Sequence, residues 1–203
     1  VGGTFTDLLL VDAASRELRF AKLSSTIDDQ SRGIIAGIAA LDVAPGEVDA
    51  IIHGTTVATN AILERKGARC GLITTRGFRD ILELGRRTRP QTYGMYGKFE
   101  AIIPRDLRFE VSERLDAKGN VITPLDEDDV RAALALLQEA GVESVVIHFL
   151  HAYINPVHER RARDIACEVW PNPFISIGSD ILREFREFER GSTAALNAFV
   201  QPT

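Results

Sequence analysis

Apolar and polar positions alternate along this chain in short segments with two different periods. Residues 8–11 form an apolar run behind a glycine turn, and residues 20–23 return after the polar stretch 12–17, which predicts a hairpin. Ile34, Ile35, Ile38 and Leu41 recur at helical spacing until Pro45-Gly46 breaks the segment. Residues 48–52 read as a buried strand, 57–66 as a helix that Gly67 can cap, and 71–74 as another short strand. Between 76 and 120 the periodicity weakens. Pro90 and Pro104 fall there, with a hairpin turn at 116–120, so the stretch reads as an inserted subdomain or a set of functional loops.

Regular alternation then resumes. A helix is expected over 127–140, started by an Asp126 cap and stopped at Gly141. Residues 144–149 read as a buried strand, Asn155-Pro156 as a helix start with Asn capping and Pro first in the helix, and 174–177 as a strand. A long last helix places Ile181, Phe185, Phe188, Leu196 and Phe199 on one face. Glu184, Glu187, Glu189 and Arg190 lie opposite, as a solvated face with an i,i+3 pair between Glu187 and Arg190. Strands alternating with helices give an α/β fold class.

Composition narrows the field. With 203 residues the chain holds one domain and a fraction. Its 24 Lys+Arg against 29 Asp+Glu exclude the basic excess of a general nucleic-acid binder. At 45% hydrophobic it is no disordered chain. The longest apolar run, 145–150, is far short of the ~20 residues of a membrane span. Cys70 and Cys167 stand apart with no partners at metal-ligand spacing, as free, core-filling thiols of a reducing compartment, so a cytoplasmic, soluble protein is expected. The chain begins at Val1 rather than Met, which implies a missing native start and makes the lack of a leader uninformative.

Three segments can carry chemistry. In the first, Gly2, Gly3, Thr4, Phe5, Thr6 and Asp7 lead into a strand. Glycines let a turn approach an anion with its N–H groups free, the threonines add hydroxyls, and Asp7 can hold Mg²⁺ directly or through water. An ordinary hairpin turn explains the same residues equally well. The second runs from His53 and Gly54 through Thr55, Thr56, Thr59 and Asn60, between a strand and a helix, where α/β proteins place ligand loops. Helix capping needs one hydroxyl and three are present, which favours function. The third carries five arginines within 76–89, among them Arg76, Arg79 and Arg89, with Asp80 beside them. They suit either a bidentate clamp on carboxylate or phosphate or a solvated loop. His148, His151 and His158 have a metal-like spacing, but strand alternation sends the first two to opposite faces, so no metal site is read there.

Taken jointly, the blocks VGGTFTD, HGTTVATNAILERKGARCGLITTRGFRDILELGRRTRP, YINPVHE and FREFERGSTAALNAFVQP resemble the N-terminal region of the hydantoinase A/5-oxoprolinase family, in order and over essentially the whole chain. The resemblance implies the first lobe of an actin/hexokinase/acetate-kinase-like ATPase fold, a mixed sheet with flanking helices. It implies a domain over 1–180, with an insertion at about 76–122, and a helix at 181–203 leading into a second lobe beyond Thr203. It also implies MgATP as cofactor, a cyclic amide as substrate activated at its carbonyl, and a hydantoinase B-like subunit or fused domain as partner. No nucleic acid and no membrane are expected. By this resemblance Gly2, Gly3, Thr4, Thr6 and Asp7 would cradle the phosphates and metal. His53, Gly54, Thr55, Thr56, Thr59 and Asn60 would line the cleft, and Arg76, Arg79, Asp80 and Arg89 would face the substrate. An Asp that the family carries just before Val1 is absent, so the 203 residues alone are expected not to turn over ATP. The alternatives are the ATP-using subunit of an acetone or acetophenone carboxylase and, from another class, a non-catalytic nucleotide-sensing activator.

Overall fold

The hairpin predicted near the start forms as β1 (Phe5–Val11) and β2 (Leu18–Ser24), antiparallel, with Leu9 opposite Phe20. The computed structural model describes residue 2 and residues 4–26, 29–86, 93 and 100–202. They fall into two units, Val1–Lys66 and Gly67–Thr203.

In the first unit, helix α1 (Gln30–Ala40) packs on the hairpin and is capped by Asp29, whose carboxylate accepts from the Ser31 amide. The sequence pattern promised an isoleucine face, but the buried helix positions are Gly33 and Gly37, and Ile35 is exposed. The reason is distance: a Cβ on Gly37 would lie 2.2 Å from a Leu8 methyl, so a close helix–ribbon contact needs glycine. Residues 48–52 are not a strand, and Ile51 and Ile52 are exposed. Hydrophobicity alone does not make a strand where no edge pairs with it, and the hairpin remains two-stranded among the described residues. Helix α2 (Val57–Leu63) ends earlier than expected, with Arg65 rather than Gly67 in the left-handed position (φ 53°). Gly67 is kept small by Phe199, whose carbonyl oxygen would lie 2.5 Å from an added Cβ.

The second unit is built on a parallel sheet ordered β4–β3–β7–β8, from β3 (Cys70–Thr75), β4 (Arg108–Val111), β7 (Ser144–His148) and β8 (Ile175–Ile177). A short ribbon, β5 (Arg114–Leu115) with β6 (Val121–Thr123), carries the predicted turn, held by the Asp116 carboxylate accepting from the Lys118 and Asn120 amides. Part of the loop-like stretch at 76–120 therefore belongs to the main sheet: β4 pairs with β3. Its four residues are too few for periodicity to show. Helix α3 (Ile81–Leu84) precedes it.

Helix α4 (Glu127–Glu139) starts where expected, with Asp126 accepting from the Asp128 and Asp129 amides, and buries Val130, Ala133, Leu134 and Leu137 at helical spacing. Leu137 closes directly on the sheet, since a Cβ on Gly71 would sit 2.3 Å from it. Helix α5 (Val157–Val169) starts one residue later than predicted, although Asn155 still accepts from the Val157 amide. Val145, Val146 and Ile147 are wholly buried, each side chain worth about 1.5–3 kcal/mol of hydrophobic stabilisation.

The last predicted helix is in fact two: α6 (Gly178–Ile181) and α7 (Glu187–Val200), joined by extended chain. Ile181 and Phe185 are exposed, while Arg190 is fully buried together with Gly191, Ala194, Ala195 and Ala198. The expected solvated face is thus the core face at Arg190. Cys70 is buried as expected, but Cys167 is exposed. Among the described residues no helix is long and apolar enough to cross a membrane.

Candidate functional site

In the first unit the glycine turn and the threonine loop come together. Gly2 donates its amide to the Phe5 carbonyl at 2.9 Å, and a Cβ at Gly2 would lie 3.6 Å from Thr56 Oγ1. The turn is fixed from inside. Thr6, 1% exposed, donates to Ser25 Oγ at 3.1 Å, and Ser25 in turn donates to the Gly2 carbonyl at 2.7 Å. Thr6 thus supports the turn instead of presenting its hydroxyl. Thr4, His53, Gly54, Thr55, Thr56 and Thr59 are exposed and Asn60 is half-buried. Thr55 Oγ1 accepts from the Val57 amide at 3.3 Å, a local turn just before the helix, whose N-cap Thr56 makes no side-chain capping bond; the Asn60 side chain donates to Thr56 Oγ1. Strand alternation puts Asp7 on the face opposite Thr6, where it pairs with Lys22 at 3.2 Å. Gly3 lies outside the described residues.

The arginine segment, in the second unit, is largely engaged. Arg76 pairs with Asp129 at 2.9 Å, and Arg86 pairs with Glu189. Asp80 receives two bonds from Arg105, at 2.8 and 3.2 Å, and the first of these hydrogen bonds holds its carboxyl below the usual carboxylate range. Arg79 is positioned through its amide, which donates to Glu110 Oε1 at 3.2 Å, while its Nε is buried without a hydrogen-bond partner. Arg89 lies outside the described residues.

The most elaborate polar construction was not legible in the sequence. It stands at the carboxyl edge of the parallel sheet, where the chain runs from β3 outward to β4 and returns as β7 on the other side. Ligands of open α/β sheets bind at such reversals. Two consecutive residues in the first turn of α5 organise this edge. His158 Nδ1 lies 2.8 Å from Glu113 Oε2, and the other Glu113 oxygen accepts from Thr75 Oγ1. Thr75 Oγ1 itself accepts from the Leu150 amide at 2.9 Å. Glu159 accepts from the Phe149 amide at 2.9 Å and the Ser179 amide at 2.8 Å.

Arg190 completes the set, donating to the carbonyls of Phe149 and Glu184, with its guanidinium 5.5 Å over the Tyr153 ring. His148 fits between Gly178 and Gly191, where added Cβ atoms would approach the ring to 2.8 and 3.0 Å, and its Nδ1 is 3.9 Å from Glu159. Burial, and secondly the charge of Arg190, pushes His148 down to about 3, so it is neutral at pH 7. Burial raises Glu159, opposed by its hydrogen bonds from Ser179 and Phe149. Among the described residues no group of three His, Cys, Asp or Glu is placed to hold a metal. The available signals were the YINPVHE block, which holds His158 and Glu159, and an arginine followed by a run of small residues on α7.

Comparison with known proteins agrees with this order of elements. The profile of the hydantoinase/oxoprolinase N-terminal region matches residues 1–170. An uncharacterized protein of Methanocaldococcus jannaschii is 38% identical over 100% of this chain and 30% of its own length. Caprolactamase subunit alpha of Pseudomonas jessenii is 36% identical over 99% of this chain and 30% of its own length. The nucleotide-free structure of acetone carboxylase, solved in a study of ATP-dependent acetone carboxylation, superposes with a TM-score of 0.87 at 31% identity, covering 99% of this chain and 31% of that one. The chain thus spans about a third of the length of these relatives, and shares with them an ATPase-like α/β fold.

Proposed function

The chain belongs to the hydantoinase/oxoprolinase N-terminal family, and from that premise we propose that it is the first part of an ATP-dependent enzyme that activates the carbonyl of a cyclic amide for ring opening. The observation that carries the reading is the approach of the Gly2 turn to Thr56. It sets a bare backbone turn beside exposed hydroxyls, a donor set that suits phosphate oxygens. ATP would supply the phosphoryl group that activates the carbonyl oxygen. Gly2, Thr4, Thr55, Thr56, Thr59 and Asn60 would position the phosphates, with His53 and Gly54 at the rim, and Gly3, outside the described residues, would share that role. Thr6 would act through the turn that it braces. A magnesium ion would come with the nucleotide and would have to compete with Lys22 for Asp7. Arg79, with Arg76, Asp80 and Arg89 of the same sequence segment, would serve the substrate side. The remaining two thirds of the length seen in relatives, and a hydantoinase B-like subunit or fused domain, would complete a cytoplasmic enzyme.

The test is ATP cleavage by the full-length protein with its partner, in the presence of 5-oxoproline, hydantoin, caprolactam or acetone. Cleavage driven by a cyclic amide is the expected result. The likeness to acetone carboxylase favours a second reading, as the ATP-using subunit of a ketone carboxylase, which would instead show cleavage driven by the ketone and dependent on bicarbonate. Nucleotide binding without cleavage under any condition would mark a sensor and overturn both.

A further inference from the structure

The two units own very different amounts of core. Among the described residues of Val1–Lys66 the buried hydrophobic side chains are Leu41 and Ala61, and all the others lie in Gly67–Thr203. The first unit instead leaves large apolar side chains in water. Leu9 stands opposite Phe20 and Val11 opposite Leu18, and each of the four is 54 to 75% exposed. Strand alternation puts them together on one face of the hairpin. The other face is covered by α1, where Gly37 meets Leu8 and Leu23. The Asp7–Lys22 ion pair, next along the same register, bounds the patch on the side of the glycine turn. A two-stranded ribbon is marginal alone, and an apolar sheet face needs a second layer against it.

The second unit shows where that layer comes from. Its first residues and its last helix meet. The Ala68 amide donates to the Phe199 carbonyl at 2.9 Å, and a Cβ on Gly67 would lie 2.5 Å from the Phe199 ring. Neighbouring entry and exit points are what allow one domain to be inserted into another. The end of α7 therefore stands beside Gly67, the residue bonded to the last position of the first unit. The family profile describes an N-terminal region, and the chain spans about a third of the length of its relatives.

We propose that Gly67–Thr203 is a module inserted into a larger domain, and that the polypeptide following Thr203 in the full-length protein completes that domain by packing on Leu9, Val11, Leu18 and Phe20. The patch carries no charge, so the segment that covers it presents apolar side chains. Because the patch stops at Asp7 and Lys22, the glycine turn stays open. The inference is independent of the nucleotide and of the organic substrate.

The experiment uses the full-length protein as a monomer, without partner subunit. Hydroxyl-radical footprinting of the unmodified protein should oxidise Leu9 and Phe20 at least about tenfold more slowly in the native state than in urea, as for side chains inside a cooperative core. Replacing Phe20, and in a second variant Leu18, with p-benzoylphenylalanine identifies the occupant. Irradiation should give an intramolecular cross-link to a peptide beyond Thr203, located by mass spectrometry. Equal oxidation in the native state and in urea overturns the proposal, and so does protection that appears only on dimerisation or on adding the partner subunit. A cross-link to any other segment, to a second copy or to the partner overturns it as well.

Discussion

Arg190 donates its Nη2 proton to the main-chain oxygen of Phe149 at 3.0 Å, across 41 residues of sequence. Its Nη1 also reaches the Glu184 carbonyl at 2.6 Å, so one side chain closes α7 onto the end of β7. Arg190→Met keeps much of the volume but strands those acceptors and leaves Glu159 without its buried counter-charge. The expected loss is about 3–5 kcal/mol, read from urea unfolding of the 203-residue chain. Arg190→Lys should not restore it, because a single ammonium cannot span acceptors set out for a fork.

Acid stability should report His148. In the unfolded chain the imidazole binds a proton below its ordinary 6.5, whereas in the fold burial holds it neutral down to about 3. The unfolded state therefore binds more protons between these values, and stability rises with pH across that window, by at most about 1.4 kcal/mol per unit. Glu159, raised by burial, works the other way: its contribution is lost as pH rises above its ordinary 4.5. The net slope should be steepest between about 3 and 4.5, where Glu159 no longer opposes it. Unfolding curves of His148→Gln across pH 3–7 should lack that component.

Thr6 and Thr56 should separate cleanly. Thr6→Val breaks the chain from Thr6 through Ser25 to the Gly2 carbonyl, and should cost about 1–2 kcal/mol in a denaturation experiment. Thr56→Ala, at an exposed hydroxyl, should leave stability within about 0.5 kcal/mol while weakening nucleotide binding in calorimetry of the full-length protein.

The two cysteines should differ in their reaction with thiol reagents. Burial pushes the Cys70 thiol up to about 12, and Cys167 is exposed. A thiol reagent at pH 8 should label Cys167 alone in the native chain and both after unfolding.

What the sequence made legible were the elements with strong local signals. The α4 cap at Asp126 and the turn at 116–120 were found because their side chains bond to amides two to four residues away. Residues 48–52 and β4 were misread for one reason seen from two sides: a strand exists through its neighbour, and neither the neighbour's presence for β4 nor its absence for 48–52 is written locally. Arg190 was misassigned because charge normally marks a solvated face, and its acceptors are carbonyls that any residue could supply. In the candidate site, the Gly2 and Thr56 segments were recognised as separate motifs. The bracing role of Thr6, and the outward placement of Asp7, required the pleat of the hairpin to be seen.

The two residues that organise the sheet edge, His158 and Glu159, are adjacent on one helix and aim at different loops. Each residue advances a helix by about 100°, so inserting or deleting one residue between Pro156 and His158 would turn both side chains away together. The segments after β4, β7 and β8 would lose their anchors in one step, whereas a residue added at the exposed Ala117–Lys118 tip would disturb only the Asp116 turn and its contact with Asn155. Length changes in this chain should therefore be tolerated at the tip of the β5–β6 ribbon and rejected at the start of α5, where a shift of one position is enough to disassemble the whole edge.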